Sequence, residues 1–161
     1  AEIERLNAVR NKSRLVAGYC WNWVSKSRPD MDDIVISEFE FAAKWNLASD
    51  GSGWITAPDS VREIGCIHTC QGLELEYVGV IIGEDLVVRD GKVITNPDAR
   101  ARTDKSLSGY KSLASRSPIE ANMRADAIIK NTYRTLMTRG SRGCFVFSVD
   151  PETREYFSAR M

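Results

Sequence analysis

The apolar residues of this chain fall into short continuous runs and into longer stretches with a three- to four-residue repeat, and the two patterns predict different elements. Short runs rich in Val, Ile and aromatic residues are typical of buried strands. They occupy residues 15–20, 34–36, 77–82 and 143–149, and a further run begins at Ile64. Because helical patterns lie between these runs, the order of elements predicts an α/β fold.

Two stretches carry the helical repeat. Residues 2–12 place Ile3, Leu6 and Val9 three residues apart among charged neighbours, which predicts a short amphipathic helix. The longest helix is predicted from Pro118 to Arg139, because Pro favours a first helical turn and the following Gly140 a helix end. Its apolar stripe is Ala121, Ala125, Ile128, Ile129, Thr132 and Leu136. A short closing helix is predicted after Asp150-Pro151.

Turn and loop signals separate these elements. Asp90-Gly91 between two alternating apolar runs predicts a β-hairpin over residues 86–94, and Asp50-Gly51-Ser52-Gly53 predicts a turn. The polar residues 96–117 predict a long mobile loop. Either this loop is simply solvated, or its cations form a basic nucleic-acid contact that becomes ordered on binding. Those cations are Arg100, Arg102, Lys105, Lys111 and Arg116.

Composition changes this picture little. The 161 residues fit one domain over 1–161, and 22 basic against 22 acidic residues leave no net charge to indicate a partner. The four cysteines show no CxxC spacing, so buried free thiols are predicted rather than a zinc site or disulfides. No run is long enough to span a membrane, and we expect a cytoplasmic protein with no membrane partner. We also expect this domain to be a fragment of a longer chain.

The first group of candidate functional residues follows the run that begins at Ile64. His68, Gln71, Gly72 and Glu74 lie in a polar loop between two predicted buried strands, a placement that favours function over a surface turn. Gly72 allows a tight turn or a close approach to a ligand. His68 is the only histidine in the chain, so a metal site that needs several histidines cannot form from this sequence.

The second group lies where the long helix meets the last predicted strand. Arg139 stands at this junction, where a guanidinium can project over the sheet edge and meet a transferring phosphoryl group. It also fits a purely structural role, bonding the last carbonyls of the helix. We expect Arg142 to be a surface or structural charge.

Taken together, the two groups resemble known motifs. His-x-x-Gln-Gly-Leu-Glu before a Tyr-Val-x-Val-Ile strand resembles motif V of superfamily 1 helicases, and Tyr-Arg-x-Leu-x-Thr-Arg-Gly resembles motif VI. Residues 14–21, 41–54, 71–74 and 133–143 are similar to the C-terminal part of the Schlafen-group-three-like DNA/RNA helicase domain family. The resemblance implies a RecA-like three-layer parallel sheet, decorated here by the hairpin.

The resemblance also implies roles for individual residues. Arg139 would be the arginine finger on the γ-phosphate of ATP, and the nucleotide-binding residues would be Gln71, Gly72 and Glu74, with Glu74 at the ribose. Nucleic acid would meet His68 and Thr69. Cys66 departs from the pattern, since many members of the superfamily have Thr there, and this difference puts a hydroxyl–phosphate contact in question.

Missing motifs define what the chain would need from elsewhere. The sequence has neither a Gly-x-x-x-x-Gly-Lys-Ser/Thr phosphate loop nor a strand ending in an Asp-Glu pair for magnesium. The resemblance therefore implies ATP and Mg²⁺ bound with an N-terminal RecA-like domain, DNA or RNA as a partner, and no turnover by this chain alone. The alternative is a non-catalytic RecA-like module that binds nucleic acid or protein through Trp21, Trp23 and the basic loop, although packing in the core is the favoured role for these two Trp residues. A small-molecule enzyme lacks a nucleophile–base pair and ranks last.

Overall fold

A computed structural model describes residues 2–46 and 53–160. The fold is α/β and RecA-like, with one mixed sheet, a separate hairpin and four α-helices in the described part of the chain. The helices are α1 (Glu2–Arg10), α2 (Tyr110–Ala114), α3 (Pro118–Met137) and α4 (Pro151–Ser158). The strands are β1 (Ser13–Ala17), β2 (Ile34–Ile36), β3 (Phe41–Trp45), β4 (Glu63–Gly65), β5 (Leu75–Ile82), β6 (Leu86–Arg89), β7 (Lys92–Thr95) and β8 (Gly140–Ser148).

The main sheet has the strand order β2-β3-β4-β1-β5-β8. Every neighbouring pair is parallel except β2 and β3, so one short antiparallel strand closes an otherwise parallel sheet. β1 and β5 are central, with Leu15 opposite Gly79 and Val16 opposite Val80. Parallel strands are buried on both faces, which explains why these two strands are nearly continuous apolar runs in the sequence.

Helices cover both faces of the sheet. On one face, the buried stripe of α3 contributes Ile129, Tyr133 and Leu136 to a core cluster with Val78 and Val80 of β5. Side chains alternate between faces along a strand, and α1 packs on β1 and β5 from the other side, where its Ile3 is buried. The result is the layered arrangement that the motifs implied.

The strong local signals are confirmed. The long helix runs over residues 118–137, and its predicted stripe faces the sheet. The hairpin forms with Asp90 at φ 51° and Gly91 at φ 71°, the paired positive values of the turn that joins two twisted strands most tightly. The predicted turn at 50–53 falls mainly on residues outside the described ranges.

The prediction of a mobile loop over residues 96–117 is wrong. A short 3-10 turn occupies Pro97–Ala99, α2 occupies Tyr110–Ala114, and Arg100 is buried. Its guanidinium forms ion pairs with Asp85 at 2.8 Å and with Asp104 at 2.6 Å, and both carboxylates are themselves buried. This segment is therefore anchored to the carboxyl end of β5 and does not need a ligand to become ordered.

Cysteine and tryptophan placement agrees with the sequence. All four cysteines are free thiols, as predicted, but only Cys66 and Cys70 are buried, whereas Cys20 and Cys144 are half-buried. Trp21 and Trp23 are partly buried against the core cluster that contains Trp45, which confirms their packing role. Within the described residues, no helix is long and apolar enough to cross a membrane.

Candidate functional site

The two groups of candidate residues meet at one edge of the sheet. The backbone N–H of Leu75, the residue after Glu74, donates to the carbonyl oxygen of Arg139 at 3.1 Å. The Ser141 hydroxyl donates to the carbonyl oxygen of Leu75, also at 3.1 Å. Leu75 begins β5 and Gly140 begins β8, so these bonds join the starts of two adjacent parallel strands. Residues 65 positions apart in sequence thus share one corner.

This corner lies at the amino ends of β5 and β8, although the polar loop follows β4 in the sequence and therefore begins at the carboxyl end of that strand. The loop of residues 66–74 leaves the carboxyl end of β4 and must return to the amino end of β5, because both strands run parallel to β1. It crosses the face covered by α3, where Cys70 is buried in the core cluster. One loop therefore presents side chains at both edges of the sheet.

Arg139 is held between the end of α3 and the start of β8. Its Nε is buried and has no hydrogen-bond partner among the described residues, and its guanidinium makes no ion pair with them. The helix end is closed by backbone and hydroxyl groups instead, with Thr138 Oγ1 donating to the carbonyl of Arg134 at 3.0 Å. A buried N–H without a partner costs about 1–3 kcal/mol, so the capping role does not explain this side chain.

Arg142, three residues further on, differs from Arg139 in its exposure and in its protein contacts. It is exposed and lies 3.4 Å from the carboxylate of Glu76, and its guanidinium stacks 5.7 Å from the centre of the Tyr77 ring. The prediction of a surface or structural charge at Arg142 is confirmed. Of Arg139 and Arg142, only Arg139 has a side chain without a protein partner in the described part of the chain.

The Cys70 thiol lies close to Arg139. Burial, and to a smaller extent the neighbouring Cys66, raise the pKa of Cys70 to about 12, although the positive charge of Arg139 acts in the opposite direction. Cys70 is therefore a neutral thiol at physiological pH, which keeps the region beneath the guanidinium apolar.

Gln71, Gly72 and Glu74 form the exposed surface of the same loop. Gly72 has φ +79°, a conformation that glycine adopts without strain, and a Cβ built there would meet nothing within 4 Å. The glycine is therefore required by the backbone turn, and the space around it is open. The bond from Leu75 N–H to the Arg139 carbonyl places the backbone of Glu74 beside Arg139.

His68 and Thr69 lie near the opposite edge, at the carboxyl end of β4. His68 is exposed, whereas the Thr69 hydroxyl donates to Asn46 Oδ1 at 2.7 Å. Thr69 also lies 3.4 Å from the Cys66 Sγ, so the residue that departs from the family pattern contacts this hydroxyl. Asn46 follows β3 and was missed by sequence reasoning, since no motif or spacing signals it.

A second polar cluster, also missed, is buried at the carboxyl ends of β1 and β5. Tyr133 belongs to the motif VI-like segment but points to this edge, where its hydroxyl donates to Asp85 at 2.5 Å and accepts from the Gly83 N–H at 3.0 Å. Burial, with Cys20 and Asp85 nearby, raises the pKa of Tyr133 well above its ordinary value. Arg100 completes the cluster. These groups hydrogen-bond one another, so their partners lie within the protein.

Metal ligands are not assembled in the described residues. No group of three or more His, Cys, Asp or Glu side chains there is arranged to hold a metal ion. The corner can contribute a cation, a carboxylate and an open glycine turn to a bound nucleotide, but the ligands for Mg²⁺ would have to come from elsewhere.

Comparison with known proteins gives two matches. The family model described as Schlafen group 3, DNA/RNA helicase domain, matches residues 1–150. The uncharacterized protein YPL245W of Saccharomyces cerevisiae (strain ATCC 204508 / S288c) is 29% identical over 117 residues, which are 71% of this chain and 25% of the yeast protein. The chain therefore spans about a quarter of the length of that relative. No solved structure matches.

Proposed function

Because this chain belongs to the Schlafen group 3 DNA/RNA helicase domain family, we propose that it is the C-terminal motor domain of an ATP-dependent DNA or RNA helicase or translocase. The family supports a helicase-like domain that binds nucleic acid. The finer assignment rests on one observation: Arg139 is fixed by its backbone to the Gln71–Glu74 loop, while its buried Nε has no partner among the described residues.

In this proposal Arg139 is the arginine finger. A guanidinium suits the charge that spreads over the γ-phosphate oxygens during transfer, and it is most effective when its position is fixed before the reaction. The bond from Leu75 N–H to the Arg139 carbonyl fixes the backbone, and the apolar surroundings near Cys70 limit hydration of the charge.

The loop beside Arg139 would hold the rest of the nucleotide. Gly72 lets the backbone approach the ligand closely, Gln71 offers an amide with both donors and an acceptor, and the Glu74 carboxylate accepts hydrogen bonds from ribose hydroxyls. All three are exposed on the loop, which is what contact with a ligand in an interdomain cleft requires.

His68 and Thr69 would face nucleic acid at the other edge. The loop that carries them continues into Glu74, so a strand of nucleic acid and the nucleotide would contact the same nine-residue connection from opposite sides. Thr69 is oriented by Asn46 and Cys66, and His68 is free to reach a phosphate or sugar.

ATP with Mg²⁺ fits this chain only in part. Arg139 and the Gln71–Glu74 loop suit the phosphates and ribose, but the sequence contains no phosphate loop, and the described residues offer no metal-binding group. In P-loop enzymes Mg²⁺ bridges the β- and γ-phosphate oxygens and neutralises developing charge. We propose that an N-terminal RecA-like domain supplies those groups, and that this chain alone does not hydrolyse ATP.

The test is ATP turnover, with and without single-stranded DNA or RNA, by a protein that joins this chain to its natural upstream half. Arg139→Ala should lower turnover by a factor of about 10³–10⁵ while ATP binding changes little, because a finger acts mainly in the transition state. Arg142→Ala is the matched control and should retain turnover, since Arg142 already has a protein partner.

Either of two results would overturn the assignment. Turnover that survives Arg139→Ala would show that Arg139 is not the finger. If no turnover appears in the joined protein, with or without nucleic acid, the alternative holds: a non-catalytic RecA-like binding module, which the missing phosphate loop favours.

A further inference from the structure

Three cations in the anchored segment of residues 97–112 have no side-chain partner among the described residues. Arg102, Lys105 and Lys111 are exposed, and none makes a side-chain hydrogen bond or ion pair with another described residue. All three line an open surface basin of about 700 Å³, together with the Tyr110 ring and two serines. We call this basin the 102–111 basin. Unpaired cations gathered around a polar depression create a local positive potential in a chain with no net charge.

The basin is built on an ordered support. Arg100 pairs with both Asp85 and Asp104, and Asp104 also accepts from the backbone N–H and hydroxyl of Ser106 at 2.8 and 2.7 Å. Burying such a network is costly unless every group is satisfied, and here every group is. The exposed cations are thus held in place by a buried network rather than carried on a free loop.

The basin lies at the same sheet edge as His68 and Thr69. The Ala101 N–H donates to the Tyr19 carbonyl at 2.9 Å, and the Arg102 N–H donates to Asn22 Oδ1 at 3.0 Å, both just beyond the carboxyl end of β1. Tyr19 stacks on Trp45 with ring centres 5.1 Å apart, one residue before Asn46. Since neighbouring strands are about 4.8 Å apart, the edge from β3 to β5 measures roughly 14 Å.

We propose that the 102–111 basin binds the phosphodiester backbone of single-stranded nucleic acid and extends the contact surface that begins at His68 and Thr69. The inference rests on the proposed function, which places nucleic acid at this edge. Cations along a groove with an aromatic ring nearby are the usual means of holding a single strand without reading its sequence. Each cation would neutralise one phosphate.

Two carboxylates must be counted against this charge. Asp104 is fully used by Arg100 and Ser106 and does not face the basin as a free anion. Asp98 also lines the basin and is exposed, with no side-chain partner among the described residues. Its negative charge should weaken phosphate binding. Removing that charge should therefore strengthen binding, whereas removing the three cations should weaken it.

The experiment measures binding of fluorescent oligo-dT and oligo-U to the 161-residue chain over a range of salt concentrations. The variant Arg102→Gln/Lys105→Gln/Lys111→Gln should lower the slope of log affinity against log salt by about 2, because each neutralised phosphate contributes about 0.7 for single strands. At 0.1 M salt the affinity should fall on the order of 100-fold. Asp98→Asn should raise it.

The matched control is Arg28→Gln/Arg62→Gln/Lys92→Gln, which removes the same charge from exposed cations away from this basin. It should leave most of the slope intact. A triple basin variant with the slope of the unaltered chain would overturn this inference and leave the proposed function standing. Competition by polyglutamate as strong as that by oligo-dT would assign the basin to acidic proteins instead. No binding by the unaltered chain would overturn both this inference and the nucleic-acid part of the proposed function.

Discussion

Arg100 and Arg139 stand at opposite edges of one sheet, and their surroundings differ in kind. Arg100, at the carboxyl edge, is 8% exposed and donates to two buried carboxylates and a serine hydroxyl. Arg139, at the amino edge, has a buried Nε with no partner in the described part of the chain. The first cation is saturated by the protein, whereas the second has a buried donor that the described residues leave without an acceptor.

A third arginine shows that the difference is not simply one of burial. Arg14 is fully buried beside Trp54, yet all its N–H groups find neutral acceptors, among them Asn7 at 2.5 Å and Ser60 at 3.0 Å. The hydrogen bonds of a buried guanidinium can therefore be satisfied by neutral groups in this fold, and the nearby Glu63 carboxylate adds a favourable charge. At Arg139, by contrast, the buried Nε has no partner among the described residues, and Trp54 Nε1 is also buried without one. A buried donor without a partner is uncommon and needs an explanation.

Removing each guanidinium in turn tests most directly whether the surroundings of Arg100 and Arg139 differ. Arg100→Ala should lower the free energy of unfolding by about 3–5 kcal/mol, because it leaves Asp85 and Asp104 buried without a counter-charge. Arg139→Ala should change it by less than about 1 kcal/mol, since no protein bond is lost. Urea unfolding followed by tryptophan fluorescence measures both. Equal losses in the two variants would show that Arg139 has a structural role that the contacts do not reveal.

A second prediction concerns the apolar surroundings of Arg139. Burial raises the pKa of Cys70 to about 12 from an ordinary value of 9.0, so above pH 9 the unfolded chain loses a proton that the folded protein retains. This thiol therefore does not change the free energy of unfolding below pH 9, and it lowers that free energy by about 1.4 kcal/mol per pH unit as the pH rises from 9 toward 12.

Unfolding under reducing conditions at pH 8, 9, 10 and 11 tests this effect. Cys70→Ala should show a shallower decline in the free energy of unfolding than the unaltered protein. Cys20 and Tyr133 also have a raised pKa because of burial, but they are present in both proteins, so the difference isolates Cys70. Parallel declines in the two proteins would mean that the Cys70 thiol is not desolvated.

Sequence reasoning recovered the elements whose signals are local. The stripe of α3, the Asp90-Gly91 turn and the apolar run of β5 each follow from a few neighbouring residues. It failed for residues 96–117, because five cations in a polar stretch indicate solvent, whereas the burial of Arg100 depends on Asp85, fifteen residues away. The pairing of Arg100 with Asp85 is set by tertiary structure, and no periodic pattern in the sequence indicates it.

The residues of the candidate site come from the motif resemblance, whereas their geometry comes from the fold. The motif resemblance selected Gln71–Glu74 and Arg139, and the fold brings them to one corner. The resemblance did not indicate which edge of the sheet carries that corner, since the direction of the crossing loop depends on β4 and β5 both being parallel to β1. The resemblance also could not indicate that Arg139 Nε has no hydrogen-bond partner among the described residues, because this depends on which acceptors the surrounding residues provide.

The smallest effect is expected at Gly72. Its φ of +79° favours glycine, and a Cβ there would contact nothing within 4 Å, so Gly72→Ala should cost only the backbone strain of about 1 kcal/mol, and Gly72→Asn less. In the joined protein the same Ala should weaken ATP binding by more than this strain explains, because a methyl group would occupy the open space beside the nucleotide. If thermal stability and ATP affinity fall by the same free energy, the opening at Gly72 is a feature of the turn alone, and the nucleotide does not approach it.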